Sequence, residues 1–244
     1  MYKVFRETRS AAREQATLAV TGDSPRAAEI AALLGAQTGV SGAEVILSVS
    51  ERGATISGKA VEDPGEINLS SRGGKVMLKE LAPRIVLALD EDYLVALAKG
   101  YPPLRRAVCG EIVRNNARQN AVIGALPIPG ADMPVMTANQ ARMVLNIAAA
   151  YGEELSMDRA RELLGVLAAG FGLRALSRQA VKLVPVGGWA ASAVIAYAGT
   201  VAMGRTGILY FERGKQEIGA EEMNRIRNRA IEEAKAFVSR LRRK

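Results

Sequence analysis

The sequence predicts an α+β chain: a small α/β N-terminal domain with a short sheet, followed by an all-α helical domain. Three observations carry this. Short apolar runs alternate with a capped helix over residues 16–90. From Glu91 onward, apolar residues recur at helical spacing and only Gly- and Pro-containing breaks interrupt them. Aromatics make up only 5% of the chain while Gly and Ala abound, so the core is expected to pack by close approach of small side chains.

Residues 2–15 read as a polar helix or arm, giving a first segment at 1–15. Residues 16–21 read as a buried strand, and Gly22-Asp23 turns the chain. Ser24 stands as an N-cap with Pro25 at the first helical position, and the helix should end before Gly35. A second strand is expected at 44–49, with strand-like pieces at 55–57 and 66–69, and a short helix at 76–81. The apolar run 85–89 is expected to be a central strand. These elements make a reduced α/β domain over 16–90. Breaks near residues 100–103, 127–130, 151–152, 170–172, 185–188 and 214 divide the remainder into helices, with Asp132 and Ser156 as N-caps. An all-helical domain is thus expected over 91–214. Residues 215–244 form a basic amphipathic C-terminal helix, with Met223, Ile226, Ala230, Ile231, Ala234, Phe237, Val238 and Leu241 on one face.

Composition excludes much chemistry. There is no histidine, which removes His-based triads, His metal sites and the usual neutral-pH proton shuttle. One cysteine, Cys109, can form neither an internal disulfide nor a multi-cysteine zinc site, and its setting reads as helix packing. Residues 53–60, Gly-Ala-Thr-Ile-Ser-Gly-Lys-Ala, approach a phosphate-binding loop. Ala60 stands where that loop needs a metal-binding hydroxyl, and Pro64-Gly65 follows where a helix should start, so the segment reads as a hairpin. Asp90 after its apolar run reads as a helix cap, with Glu91 and Asp92 at the helix's positive end. No catalytic, cofactor-binding or metal-ligating residue is assigned, and no cofactor is expected.

Charge is unevenly distributed. Residues 1–100 hold 12 basic and 13 acidic side chains; residues 101–215 hold 13 and 7; residues 216–244 hold 8 and 5. The excess therefore lies in the helical part. It suits an anionic membrane surface or an acidic partner protein. Arg240, Arg242, Arg243 and Lys244 form its sharpest patch. Nucleic acid is not expected, because aromatic interleaving and reading motifs are missing. The chain opens with charge and no apolar leader, so a cytoplasmic location is expected.

Residues 183–204 contain no charge, and 119–141 contain only Asp132. The first stretch is long enough to cross a bilayer, but Pro185, Gly187, Gly188, Ser192 and Thr200 dilute it, so shallow peripheral association is preferred over spanning. Gly188, Ser192, Ala196, Thr200 and Gly204 make a row of small residues four apart, suited to close helix–helix approach within or between chains. Asn139, Gln140 and Arg142 form a polar patch able to fix registry or meet a partner, as do the amides and arginine at 115–120.

Over residues 101–214 the sequence resembles the YcjF-like helical domain of bacterial proteins, often found behind Era-like GTPase domains. The resemblance rests on Tyr101-Pro102-Pro103-Leu104-Arg105, on Ala125-Leu126-Pro127-Ile128-Pro129-Gly130-Ala131-Asp132, on Thr137-Ala138-Asn139-Gln140-Ala141-Arg142-Met143-Val144, on Leu183-Val184-Pro185-Val186-Gly187-Gly188, and on the Tyr210-Phe211 end. It implies a helical domain, membrane association in some members, a link to GTPases, and no catalytic residues. The stretch Leu18-Ala19-Val20-Thr21-Gly22-Asp23 with Ile30-Ala31-Ala32-Leu33-Leu34-Gly35 looks like the first strand and helix of a GTPase domain with its phosphate loop lost; Asp63-Pro64-Gly65 echoes a switch motif. The expectation is a non-catalytic, membrane-associated adaptor or regulator on the cytoplasmic face, partnering a GTPase. Two alternatives stay open: a nucleotide-binding GTPase-like enzyme with a degenerate phosphate loop, and a soluble helical interaction module or homo-oligomer.

Overall fold

The computed structural model of the protein describes residues 16–69, 74–126, 132–153 and 188–241. The expected arm at 1–15, the Ser156 cap, the breaks at 170–172 and 185–187, and the basic residues 242–244 lie outside the described residues. Within them the fold is α+β, with a mixed four-stranded sheet followed by helices.

The sheet grows from a βαβ start. Strand β1 (Leu18–Thr21) is followed by helix α1 (Pro25–Leu34) and by β2 (Val45–Val49), which pairs parallel to β1 with Leu18 opposite Val45. The expected cap forms: the Ser24 hydroxyl accepts the Ala27 N–H at 3.2 Å, and Pro25 spends its missing donor where no partner is needed. Gly22 turns the chain at φ 134°, where a Cβ would run into the Val49 carbonyl. Strands β3 (Gly53–Ser57) and β4 (Gly65–Asn68) then add antiparallel, giving the order β1-β2-β3-β4. Glu44 leads into β2; its carboxylate accepts the hydroxyl and the backbone N–H of Thr17, which hold its pKa below the usual carboxylate range.

Much of the outer side of β1 is capped. Tyr101 Oη accepts the Leu18 N–H at 2.6 Å, the Gln37 carbonyl accepts the Val20 N–H at 2.8 Å, and the Leu18 carbonyl accepts the Gln37 N–H at 3.2 Å.

One expected strand is a helix. Residues 85–88 are the last turn of α2 (Gly74–Ala88), and Leu89 makes only an isolated bridge to Val61. A short apolar run fits a buried strand or a buried helix equally well. The arbiter is the wider pattern: Leu81, Ala82, Ile85, Val86 and Leu89 are buried, whereas Leu87 is 56% exposed. That is helical spacing, sustained despite Pro83 inside the helix. Asp90 then caps α3 (Glu91–Gly100) by accepting the Asp92 N–H at 2.9 Å.

The remaining described elements are α4 (Pro102–Ala125), α5 (Asp132–Ala150), α6 (Trp189–Glu212) and α7 (Ala220–Leu241). Two compact units result. Of the described residues, 16–111 and 149–153 make one; 112–148 and 188–241 make the other. The division falls inside α4, not at the change of sequence character at residue 90. Cys109 is fully buried in α4.

Candidate functional site

In the helical unit the central element is α6. It is rich in Ala and Gly, and Ala198, Val201 and Ala202 have no exposed surface. By length and composition it could cross a membrane: 24 residues rise about 36 Å, against a hydrocarbon core of about 30 Å. Yet 78% of its most apolar window is already buried within the protein. Those side chains are packed against other helices of the same chain.

Helix α7 runs antiparallel along one side of α6. Tyr197 stacks on Phe237 with ring centroids 4.8 Å apart. The Tyr197 hydroxyl donates to Glu233 at 3.2 Å, and Arg205 pairs with the other Glu233 oxygen at 2.6 Å. Further along, Arg213 pairs with Glu222 at 2.7 Å. The α7 face expected from sequence is present: Met223, Ala230, Ile231, Ala234 and Val238 are buried, while Leu241 at its end is 44% exposed.

Residues 112–125 of α4 run antiparallel along another side of α6, and α5 runs parallel to it. The small-residue row makes this fit. A Cβ on Gly204 would overlap both methyls of Val113 and lie 3.1 Å from the Met143 sulfur. One on Gly124 would stand 3.0 Å from the Ala196 Cβ and 3.3 Å from the Ser192 carbonyl oxygen. Between these contacts lies a polar cluster. Thr200 Oγ1 accepts Asn120 Nδ2 at 2.9 Å and Gln140 Nε2 at 3.3 Å, and donates to the Ala196 carbonyl at 2.8 Å. Asn139 Nδ2 donates to Asn120 Oδ1 at 3.1 Å. Asn120 and Thr200 are completely buried. The cluster ties three helices together through neutral groups that satisfy one another, which suits fixing registry in a low-dielectric interior.

The residues singled out from sequence therefore divide. Asn139, Gln140 and Thr200 converge, and Ala196 and Gly204 pack beside them. Asn120 is the hub, although sequence reading placed it only in a general polar patch; its signal was an amide flanked by apolar positions on a helix. Gly188 (φ 85°) is the exposed N-cap position of α6 and Ser192 is exposed. Arg142 is exposed on α5, and Asp132 is the first residue of that helix. Arg240 is exposed and its Nε donates to the Ala236 carbonyl at 3.2 Å; Arg242, Arg243 and Lys244 lie outside the described residues.

Burial, then the neighbouring Glu233 charge, pushes the Tyr197 phenol up to about 12. A phenol whose folded pKa exceeds its unfolded value contributes stability fully below the unfolded value, near 10, and loses it as pH rises through about 12. Ultraviolet difference titration of the folded protein is expected to show one tyrosine ionising late, and Tyr197→Phe should remove that step. Elsewhere, residues 53–57 of the phosphate-loop-like segment are strand β3. Among the described residues no three Cys, Asp or Glu side chains converge to hold a metal ion.

The family model described as Domain of unknown function (DUF697) matches residues 101–236. Magnetosome membrane protein 22 of Magnetospirillum gryphiswaldense is 26% identical over 155 residues, covering 57% of this chain and 79% of that protein. No solved structure matches.

Proposed function

The chain belongs to the DUF697 family, and from that premise we propose that it is a non-catalytic, membrane-associated adaptor or regulator. It works at the cytoplasmic face, binds an anionic bilayer peripherally, and partners a GTPase. The observation that carries this reading is the basic helical part, and the chain's similarity to a protein named as a magnetosome membrane protein supports it. The YcjF-like resemblance over the same residues supports the GTPase partnership. Burial of α6 within its own unit supports peripheral attachment over a spanning helix. The test is flotation of the full chain with phosphatidylglycerol-containing vesicles and with pure phosphatidylcholine vesicles. Recovery with the anionic vesicles, reduced by salt, is expected. Protein left at the bottom of both gradients overturns the proposal.

The burial of α6 also favours a second reading, a soluble helical interaction module. Light scattering separates its versions: a defined oligomer supports self-association, and a monomer that floats with no vesicle leaves only hetero-association.

A further inference from the structure

The exposed apolar side chains of the helical unit gather at one end. Helix contacts fix where that end is. Gly124 near the end of α4 meets Ser192 and Ala196 near the start of α6, while Val113 meets Gly204 further along, so the end of α4 lies beside the start of α6. Asn139 on α5 bonds Asn120, and Gln140 bonds Thr200, which brings the start of α5 to the same end. Tyr197 stacks on Phe237 and Arg213 pairs with Glu222, so α7 terminates there too.

The large apolar residues left exposed among the described part of this unit are Val122 (56%), Leu126 (50%), Val135 (48%), Trp189 (49%) and Leu241 (44%). Every one belongs to that end. Three of the four segments that reach this end carry little charge: between Gln119 and Ala141 the only charged residue is Asp132, and 183–204 carries none. Scattered exposed apolar residues on a monomer need no explanation, but convergence from four helices does. Basic groups border the patch. Arg118 is exposed one turn below Val122, and exposed Arg240 adjoins Leu241.

We infer that this end of the helical unit is the surface that enters the membrane, reaching the headgroup–acyl boundary without crossing the bilayer. An apolar tip flanked by Arg118 and Arg240, with an exposed tryptophan, matches the layering of an anionic bilayer surface: apolar groups reach the acyl boundary, the indole lies at the interface, and cations remain among the phosphates. An acidic protein partner would complement the arginines but would not call for five exposed apolar side chains beside them. The inference rests on the membrane-association reading above and assigns its surface.

Trp189 is the only tryptophan in the chain, so the native protein carries its own reporter at the tip. Full-length protein is mixed with phosphatidylcholine–phosphatidylglycerol vesicles, and binding is read by flotation while Trp189 emission is read by fluorescence. The expected result is flotation with a blue-shifted emission, quenched more by lipids brominated near the carbonyl than near the terminal methyl. The double variant Val122→Glu, Leu126→Glu should keep its circular dichroism melt and lose about tenfold or more in vesicle affinity. Leu87→Glu, an exposed apolar site in the other unit, should leave affinity nearly unchanged. Flotation with unshifted Trp189 emission, or affinity unaffected by the double variant, overturns the assigned surface while leaving membrane association intact. Quenching strongest at the bilayer centre overturns shallow entry. Failure to float with any vesicle overturns both readings.

Discussion

Asn120→Asp is expected to cost the helical unit about 3–5 kcal/mol at neutral pH, and much less in acid. Asn120 has no exposed surface, donates to Thr200 Oγ1 and accepts from Asn139 Nδ2. The substitution exchanges a donor for a second acceptor. The new oxygen then faces a Thr200 hydroxyl whose proton is committed to the Ala196 carbonyl. It also places an ionisable group in a region where the neighbouring groups are neutral amides and a hydroxyl. Burial raises the folded-state pKa of the introduced carboxyl above its unfolded value of about 3.9. Such a group leaves the fold intact below the unfolded value, and stability falls as pH rises through the raised one. Urea unfolding in mildly acidic and neutral buffer measures this. Asn120→Ala is the companion: it should lose about 2–3 kcal/mol, leave the Asn139 amide short of a partner, and show no added pH dependence. Equal losses at both pH values for the aspartate variant would mean that the hub is solvated.

Gly204→Leu should be as damaging, at about 3–5 kcal/mol, and Gly204→Ala should still cost about 1–2 kcal/mol. Alanine ordinarily gains about 1 kcal/mol over glycine in a helix. Here the added Cβ would overlap Val113, whose branched side chain is stiff and 2% exposed, so the steric cost outweighs the propensity gain. Gly199, five residues earlier on the same helix, supplies the control: nothing lies within 4 Å of its added Cβ, so Gly199→Ala should be neutral or stabilising. The Val113→Ala background should relieve much of the Gly204→Ala loss, and thermal melts of the double-mutant cycle would show the coupling. Additive losses would place the clash elsewhere.

Local chemistry made part of this architecture readable. Ser24-Pro25 announced α1, the Asp90 carboxylate announced α3, and the α7 stripe is buried at Met223, Ala230, Ile231, Ala234 and Val238 though not at Leu241. These features are set within a few residues of chain. The run at 85–89 has the apolar density of a central strand, and only neighbours as distant as Met77 and Leu81 reveal the helical spacing. The row from Ser192 to Gly204 was visible, and its partners were not: that Gly204 lies against Val113 and Gly124 against Ala196 depends on how α4 lies along α6. Asn120 was hidden for the same reason, since an amide among apolar residues gives no sign of which distant hydroxyl will receive it. The division of the units inside α4 carries no sequence mark at all, because the helical pattern runs through it unbroken.

The way β1 ends the sheet bears on how the protein behaves when crowded. A naked rim of amides invites another chain to copy it, which is how fibrils start. On this rim a phenol takes the Leu18 amide, and a single residue, Gln37, takes both Val20 and Leu18. At the opposite rim, β4 offers only four residues, one of them the charged Glu66. Concentrating the protein on a two-dimensional surface would therefore raise its local density without handing it a template for polymerisation.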